Sequence, residues 1–240
     1  MASVTASVAL VALATACGAP AKTMVATTVA STTTTVPTIQ TYQIDSEYSG
    51  AAGPRVAVIG DSLTVTGRVQ LADELSGYRV KVASVVGEGI GGGPWSDVYE
   101  TDVLGDAVNE YLTSDEPPDA LVIALGTNNA MKPNITMEMF EAAWPEMVAG
   151  YTGGCLVVVT ATETEENPGY DREEAALINE RLRSEADRVV DWAAIARPEH
   201  VDESDHIHLT PAGLALRADL IAQAIDSCEL AAEDGTGPTG

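Results

Sequence analysis

Positive charge is scarce in this 240-residue chain, where 12 lysines and arginines face 36 aspartates and glutamates for a net charge of -24. The only lysines are Lys22, Lys81 and Lys132, and no basic cluster offsets that average. A surface of this sign repels phosphate backbones, which excludes nucleic acid as a partner. The same acidity suits a saline habitat or an ordinary exported protein. Long apolar runs are lacking too. The stretch "VTASVALVALATA" at 4–16 falls short of the ~20 residues that cross a bilayer, so it reads as the hydrophobic part of an export signal. No Lys or Arg precedes it, which points to a translation start upstream of Met1. Cysteine and histidine number three each, and no cluster of them has metal-ligand spacing; His206 and His208 lack a third partner, so no metal site is expected. No internal repeat is present.

The apolar run leads into "ALATACGAP", whose small residues before Cys17 resemble the lipobox of bacterial lipoproteins. That resemblance implies cleavage at residue 17, acylation of Cys17 and a membrane anchor; a plain secretory signal is the alternative. Two cysteines then remain, Cys155 and Cys228, in a compartment that permits disulfides. The first opens an apolar strand and the second comes after the last helix, so they either form a bridge or serve as two small buried hydrophobes.

Residues 18–53, with "TTVASTTTTVPT", show neither helical nor strand periodicity and read as a disordered tether. From Pro54 to about Cys228 apolar runs alternate with longer helical patterns. "RVAVIG" precedes a helix at 63–76, "YRVKVASVV" one near 97–113, "DALVIALG" one at 136–149, "CLVVVTA" one at 171–186, and "RVVDW" one at 211–227. Continuous Val/Ile/Leu runs predict parallel strands covered on both faces, hence a three-layer α/β/α sandwich around a mostly parallel five-stranded sheet. Residues 229–240 read as a frayed acidic tail.

In such sheets the ligand crevice lies beyond the carboxyl ends of the strands. There the sequence places Gly60-Asp61-Ser62, Gly87-Glu88-Gly89, Gly126-Thr127-Asn128-Asn129 and, before the last helix, Asp205-His206-Ile207-His208. A serine hydroxyl needs a base to take its proton and an acid to orient that base. Asp205 and His208, three apart, have the spacing for this; Asp191 is a competing acid, and Ser62 alone would equally suit a helix cap. The run "GEGIGGG" contains G-x-G-x-x-G, but it comes after the second strand and runs into Gly93-Pro94-Trp95, unlike a dinucleotide fingerprint. Its small residues suit an amide that approaches a tetrahedral intermediate, or a purely structural loop.

At these positions the chain resembles the GDSL/SGNH hydrolases, over residues 54 to about 228. "IGDSLT" is similar to the first block of that family, "VVGEGIGG" to the second, "LGTNN" to the third and "DHIHLTPAG" to the fifth. The resemblance implies a flavodoxin-like fold and acyl transfer through Ser62, with His208 as base and Asp205 as its acid partner. The Ser62 and Gly89 amides and the Asn128 side chain would form the oxyanion hole. No metal or organic cofactor is implied. Gly87 stands where the family commonly has Asn, and Asn129 where it commonly has Asp.

The resulting expectation is an exported, lipid-anchored, monomeric serine esterase acting on short acyl groups, such as carbohydrate O-acetyl esters. The alternatives are an envelope O-acetyltransferase with the same triad and a non-catalytic binding lipoprotein. His206 is an alternative base to His208 and otherwise lines the pocket; His200 is expected to lie on a surface loop. The segment Thr162–Tyr170 either shapes the pocket together with Trp95 or is a solvated loop. Asn134-Ile135-Thr136 matches a glycosylation sequon to which no role is given.

Overall fold

The run Arg55–Gly60 is apolar at nearly every position, and five of its six residues are buried. Runs of this kind form the central strands, because a strand covered on both faces has no position left for polar side chains. The computed structural model describes residues 42–50, 53–92, 103–131, 136–149, 151 and 154–230. Cys17, the sequon at Asn134, Trp95 and residues 231–240 lie outside them.

In chain order the elements are β1 (Tyr42–Ile44), β2 (Arg55–Gly60), α1 (Ser62–Glu74), β3 (Arg79–Val85), α2 (Val103–Thr113), β4 (Ala120–Ala124), α3 (Met137–Ala149), β5 (Cys155–Val159), α4 (Arg172–Glu185), β6 (Arg188–Val190), α5 (Trp192–Ile195), a single 3-10 turn (Pro198–His200) and α6 (Pro211–Asp226). The sheet runs β1-β3-β2-β4-β5-β6. All its pairs are parallel except β1 with β3.

Alternate residues of the strands feed two apolar layers. Ala57, Ile59, Leu121, Ile123 and Val158 face Tyr111 of α2, Phe140 and Trp144 of α3, and Ile178 and Leu182 of α4. Val56, Val58, Val122 and Val157 face Leu71 of α1, Ile221 and Ile225 of α6, and Trp192. This is the expected three-layer α/β/α arrangement.

The sheet has six strands, not the five expected. The addition, β1, comes from the stretch read as a tether, and three residues are too few to show a period. Tertiary bonds hold it: the Asp45 amide donates to Val82 O at 2.9 Å. The Val82 amide returns a bond to Asp45 Oδ2 at 3.0 Å, and the Tyr111 hydroxyl donates to Asp45 O at 2.7 Å. At the other edge, β6 stops at Val190 and Asp191 turns the chain into α5. Cys155 and Cys228 are disulfide-bonded, with Cα atoms 5.9 Å apart, tying the start of β5 to the residues after α6.

From β2 the chain crosses to one side for β3 and to the other for β4. The carboxyl end of β2 is therefore the switch point, where open α/β sheets place their ligands.

Candidate active site

Residue 62 sits at that switch point. Asp61 caps α1, its carboxylate accepting the Leu63 amide at 3.0 Å. The cap is thus the aspartate, which leaves the Ser62 hydroxyl free of that task; its Oγ lies 3.1 Å from His208 Nε2. Gly60 is needed just before this turn, since a Cβ there would come within 2.0 Å of Thr64 Oγ1. As the first residue of α1, Ser62 also lies at the positive end of the helix dipole.

The base comes from a tight turn ahead of α6. Asp205 divides its two oxygens: Oδ1 accepts the amides of Ile207 and His208, both at 2.9 Å, and Oδ2 meets His208 Nδ1 at 2.5 Å. A carboxylate at Nδ1 selects the tautomer with its proton there, leaving Nε2 to accept from Ser62. Burial pushes the Asp205 carboxyl up, but the hydrogen bonds from His208 and from the Ile207 and His208 amides outweigh it and hold the group below its ordinary value. The turn is closed by Asp202 N donating to His208 O at 2.7 Å and His206 N donating to Asp202 O at 2.8 Å. His206 between them has φ +58°, a left-handed conformation uncommon outside glycine. Thr210 caps α6 by accepting the Gly213 amide, and Pro211 begins the helix.

The competing acid is occupied elsewhere: Asp191 binds Arg183 at 2.6 Å and Thr160 Oγ1 at 3.2 Å. His200 accepts the Arg197 amide at 3.1 Å and belongs to the 3-10 turn. Among the described residues no group of three or more His, Cys, Asp or Glu side chains is arranged to hold a metal ion.

The glycine loop after β3 folds on itself. Gly87, Gly91 and Gly92 have φ of +83°, +90° and +135°, which explains why three glycines are used. The Gly89 amide, assigned to the oxyanion hole, donates to Gly92 O at 2.9 Å. The buried Asn129 side chain clamps the same loop, accepting the Ile90 amide at 2.9 Å and donating to Ile90 O at 2.8 Å. An aspartate could make only the first bond, so an amide at this position has a structural reason. Asn128 Nδ2 donates to Glu88 O at 2.8 Å and lies 3.4 Å from Asp61 Oδ2. It thereby joins the neighbour of Ser62 to the neighbour of Gly89.

Two ionisable groups lie beneath the site: Asp61, which belongs to the "IGDSLT" block but to which the resemblance gives no role of its own, and Arg217, which no sequence motif includes. Asp61 is fully buried, and burial pushes its carboxyl up to about 6, against the pull of Arg217 and the Leu63 amide. Arg217 of α6 is buried as well, and its Nε has no hydrogen-bond partner among the described residues. Beside the acid–base turn runs a cleft of about 570 Å³, whose wall includes Thr162, Glu163, Glu166, Arg197, Glu203 and His206. The segment Thr162–Tyr170 thus contributes to a cleft; neither Ser62 nor His208 is part of its wall.

No family model and no curated protein matches the sequence. Solved structures do resemble the fold. The C-terminal catalytic domain of peptidoglycan O-acetyltransferase A from Streptococcus pneumoniae, bearing a methylsulfonyl adduct, is 21% identical with a TM-score of 0.55, over 74% of this chain and 96% of that one. The carbohydrate acetylesterase Est24 from Sinorhizobium meliloti is 16% identical with a TM-score of 0.52, over 72% and 99%. A lipolytic G-D-S-L family protein from Veillonella parvula is 14% identical with a TM-score of 0.55, over 72% and 98%. The chain shares their α/β architecture.

Proposed function

We propose that this chain is a serine ester hydrolase working through an acyl-enzyme on Ser62. The observation that carries the reading is the unbroken line Asp205 Oδ2, His208 Nδ1, His208 Nε2, Ser62 Oγ, with steps of 2.5 and 3.1 Å. As the Ser62 oxygen bonds to an ester carbonyl carbon, His208 Nε2 takes its proton and Asp205 stabilises the imidazolium. The Ser62 and Gly89 amides and Asn128 Nδ2 receive the charge that develops on the carbonyl oxygen. His208 then returns the proton to the departing alcohol. A water deprotonated by the same ring attacks the acyl carbon and frees the serine.

The substrate class is short acyl esters, with O-acetyl groups on carbohydrates as the foremost candidates, in keeping with the acetylesterase among the structural neighbours. The peptidoglycan O-acetyltransferase neighbour supports a second reading, in which a sugar hydroxyl replaces water as acceptor. The disulfide suits an oxidising compartment, and the apolar run with Cys17 suits export and a lipid anchor; we take the protein to act there as a monomer.

The test uses the full-length protein with a fluorophosphonate and a chromogenic acetyl ester. Ser62→Ala should abolish labelling and lower turnover by at least ~10³-fold. Labelling that survives the substitution would remove Ser62 as nucleophile. Faster turnover with an added carbohydrate acceptor, and acetyl transferred to it, would select the transferase reading.

A further inference from the structure

The acid–base turn does not hold its shape alone. The loop between β5 and α4 grips it at two adjacent residues. Asn167 Nδ2 donates to Asp205 O at 2.8 Å, and Glu166 Oε2 meets His206 Nδ1 at 2.7 Å. Asn167 is itself fixed: its Oδ1 accepts the Gly169 amide at 2.8 Å and its carbonyl accepts the Tyr170 amide at 3.1 Å. The far end of the loop is rooted in the protein. The Tyr170 side chain is buried, and its hydroxyl donates to Thr162 O at 2.6 Å. The Asp171 amide donates to Ala130 O at 2.7 Å, two residues beyond Asn128.

We infer that Asn167 and Glu166 are positioning residues, which hold Asp205 and His208 in the geometry that activates Ser62. The inference rests on the acyl-transfer reading of that site. Its physical basis is the left-handed backbone at His206, a conformation that side-chain-bearing residues leave unless neighbouring contacts retain them. Asn167 holds the residue just before His206, and Glu166 holds His206 itself. With both contacts gone, the left-handed residue is held only by the turn's own bonds, Asp202 N to His208 O and His206 N to Asp202 O, and His206 samples negative φ more often. In those excursions Asp205 loses its alignment with the Ile207 and His208 amides and the imidazole, and the ring spends less time in reach of Ser62. The same loop reaches Ala130, so one segment sets the distance between the base and the strand end that carries Asn128.

Neither residue needs to touch substrate for this, so the effect falls on the chemical step. In the full-length protein, Asn167→Ala and the near-isosteric Asn167→Asp, which keeps the acceptor and loses the donor, should lower kcat for the acetyl ester by about 10- to 100-fold, the scale of an ångström-level misplacement. KM should stay within about twofold, and the second-order rate of fluorophosphonate labelling should fall by the same factor as kcat. Glu166→Ala should act in the same direction and more weakly. In a His206→Gly background, where the left-handed conformation is unstrained and the pairing partner is gone, Glu166→Ala should have no further effect. The inference is overturned if Asn167→Ala and Asn167→Asp keep kcat within threefold of the parent, or if their losses simply track a lowered thermal midpoint. A parent protein that fails to label at all refutes the acyl-transfer reading instead, so the two failures are distinguishable.

Discussion

Replacing Asp61 by asparagine should give a protein whose stability, relative to the parent, rises with pH. This carboxyl is fully buried at the head of α1, and burial pushes it from 3.8 up to about 6, although Arg217, the Leu63 amide and His208 pull the other way. A carboxyl raised by folding binds its proton more tightly in the native state than in the unfolded chain. Its contribution to stability is therefore most favourable below the unfolded value of 3.8, and declines as the pH climbs through the folded value near 6. The shift of about two units, at ~1.36 kcal/mol each, amounts to about 3 kcal/mol. Asparagine keeps the acceptor oxygen for the Leu63 amide and cannot ionise; its NH2 group takes the place of Oδ2 beside the Asn128 donor, a cost that does not vary with pH. Comparing the two proteins cancels the pH dependence of the other acidic residues. Urea unfolding should show the stability of Asp61→Asn relative to its parent rising by ~2 kcal/mol between about pH 4.5 and about pH 7.5. The range begins above the isoelectric point near 4.1, where precipitation would interfere. A difference that stays constant over this interval, or that falls as the pH rises, would refute the assignment of a buried carboxylate that opposes folding.

Two other substitutions probe the framework. The disulfide joins residues 73 apart, a loop whose closure entropy corresponds to about 4 kcal/mol, so Cys155→Ala with Cys228→Ala should lower unfolding stability by up to that amount; a loss below ~1 kcal/mol would show that the bridge does not restrain the unfolded chain. Asn129→Asp gives up the donor to Ile90 O and introduces a fully buried carboxylate, for which a loss of ~1–3 kcal/mol in urea unfolding is expected; unchanged stability would mean that the clamp on the glycine loop is dispensable.

The parts of the molecule that could be read in the chain are those whose physics is local. "RVAVIG" and "CLVVVTA" are short, valine-rich apolar runs next to glycine, the pattern of a strand with both faces covered. Asp205 and His208 could be paired because three residues of separation brings them within reach inside one turn. The features that a linear reading misses depend on partners distant in the chain. β1 is three residues long and owes its place to β3 and Tyr111. Arg217 sits in the helical series Leu214, Ala218, Ile221, Ile225, and an arginine among core-facing positions was a signal that could have been read. Its partner, Asp61, lies 156 positions earlier, and no spacing connects them. Asn167 precedes Pro168-Gly169, which marks a turn, but nothing in those residues reveals that the side chain reaches Asp205.

The groups proposed as oxyanion donors raise a question that the sequence alone does not pose, because two of them are already engaged. Gly89 N–H donates to Gly92 O, and Asn128 Nδ2 donates to Glu88 O. Both acceptors are neutral backbone carbonyls. A substrate ester carbonyl is also neutral, so exchanging one acceptor for another gains little, and ground-state binding does not profit from these donors. The exchange becomes favourable only when negative charge accumulates on the substrate oxygen, since a hydrogen bond to an ionised acceptor is roughly twice as strong. On the proposed mechanism, donors arranged in this way would discriminate between ground state and transition state, which is the condition for raising kcat without tightening substrate binding. Asn128→Ala should accordingly lower kcat by ~10²–10³-fold and leave KM within about twofold. It also frees the Glu88 carbonyl and removes a contact to Asp61, so thermal midpoints must accompany the kinetics. If KM rises and kcat is unchanged, Asn128 binds substrate uniformly, and the case for a donor held in reserve for the oxyanion fails.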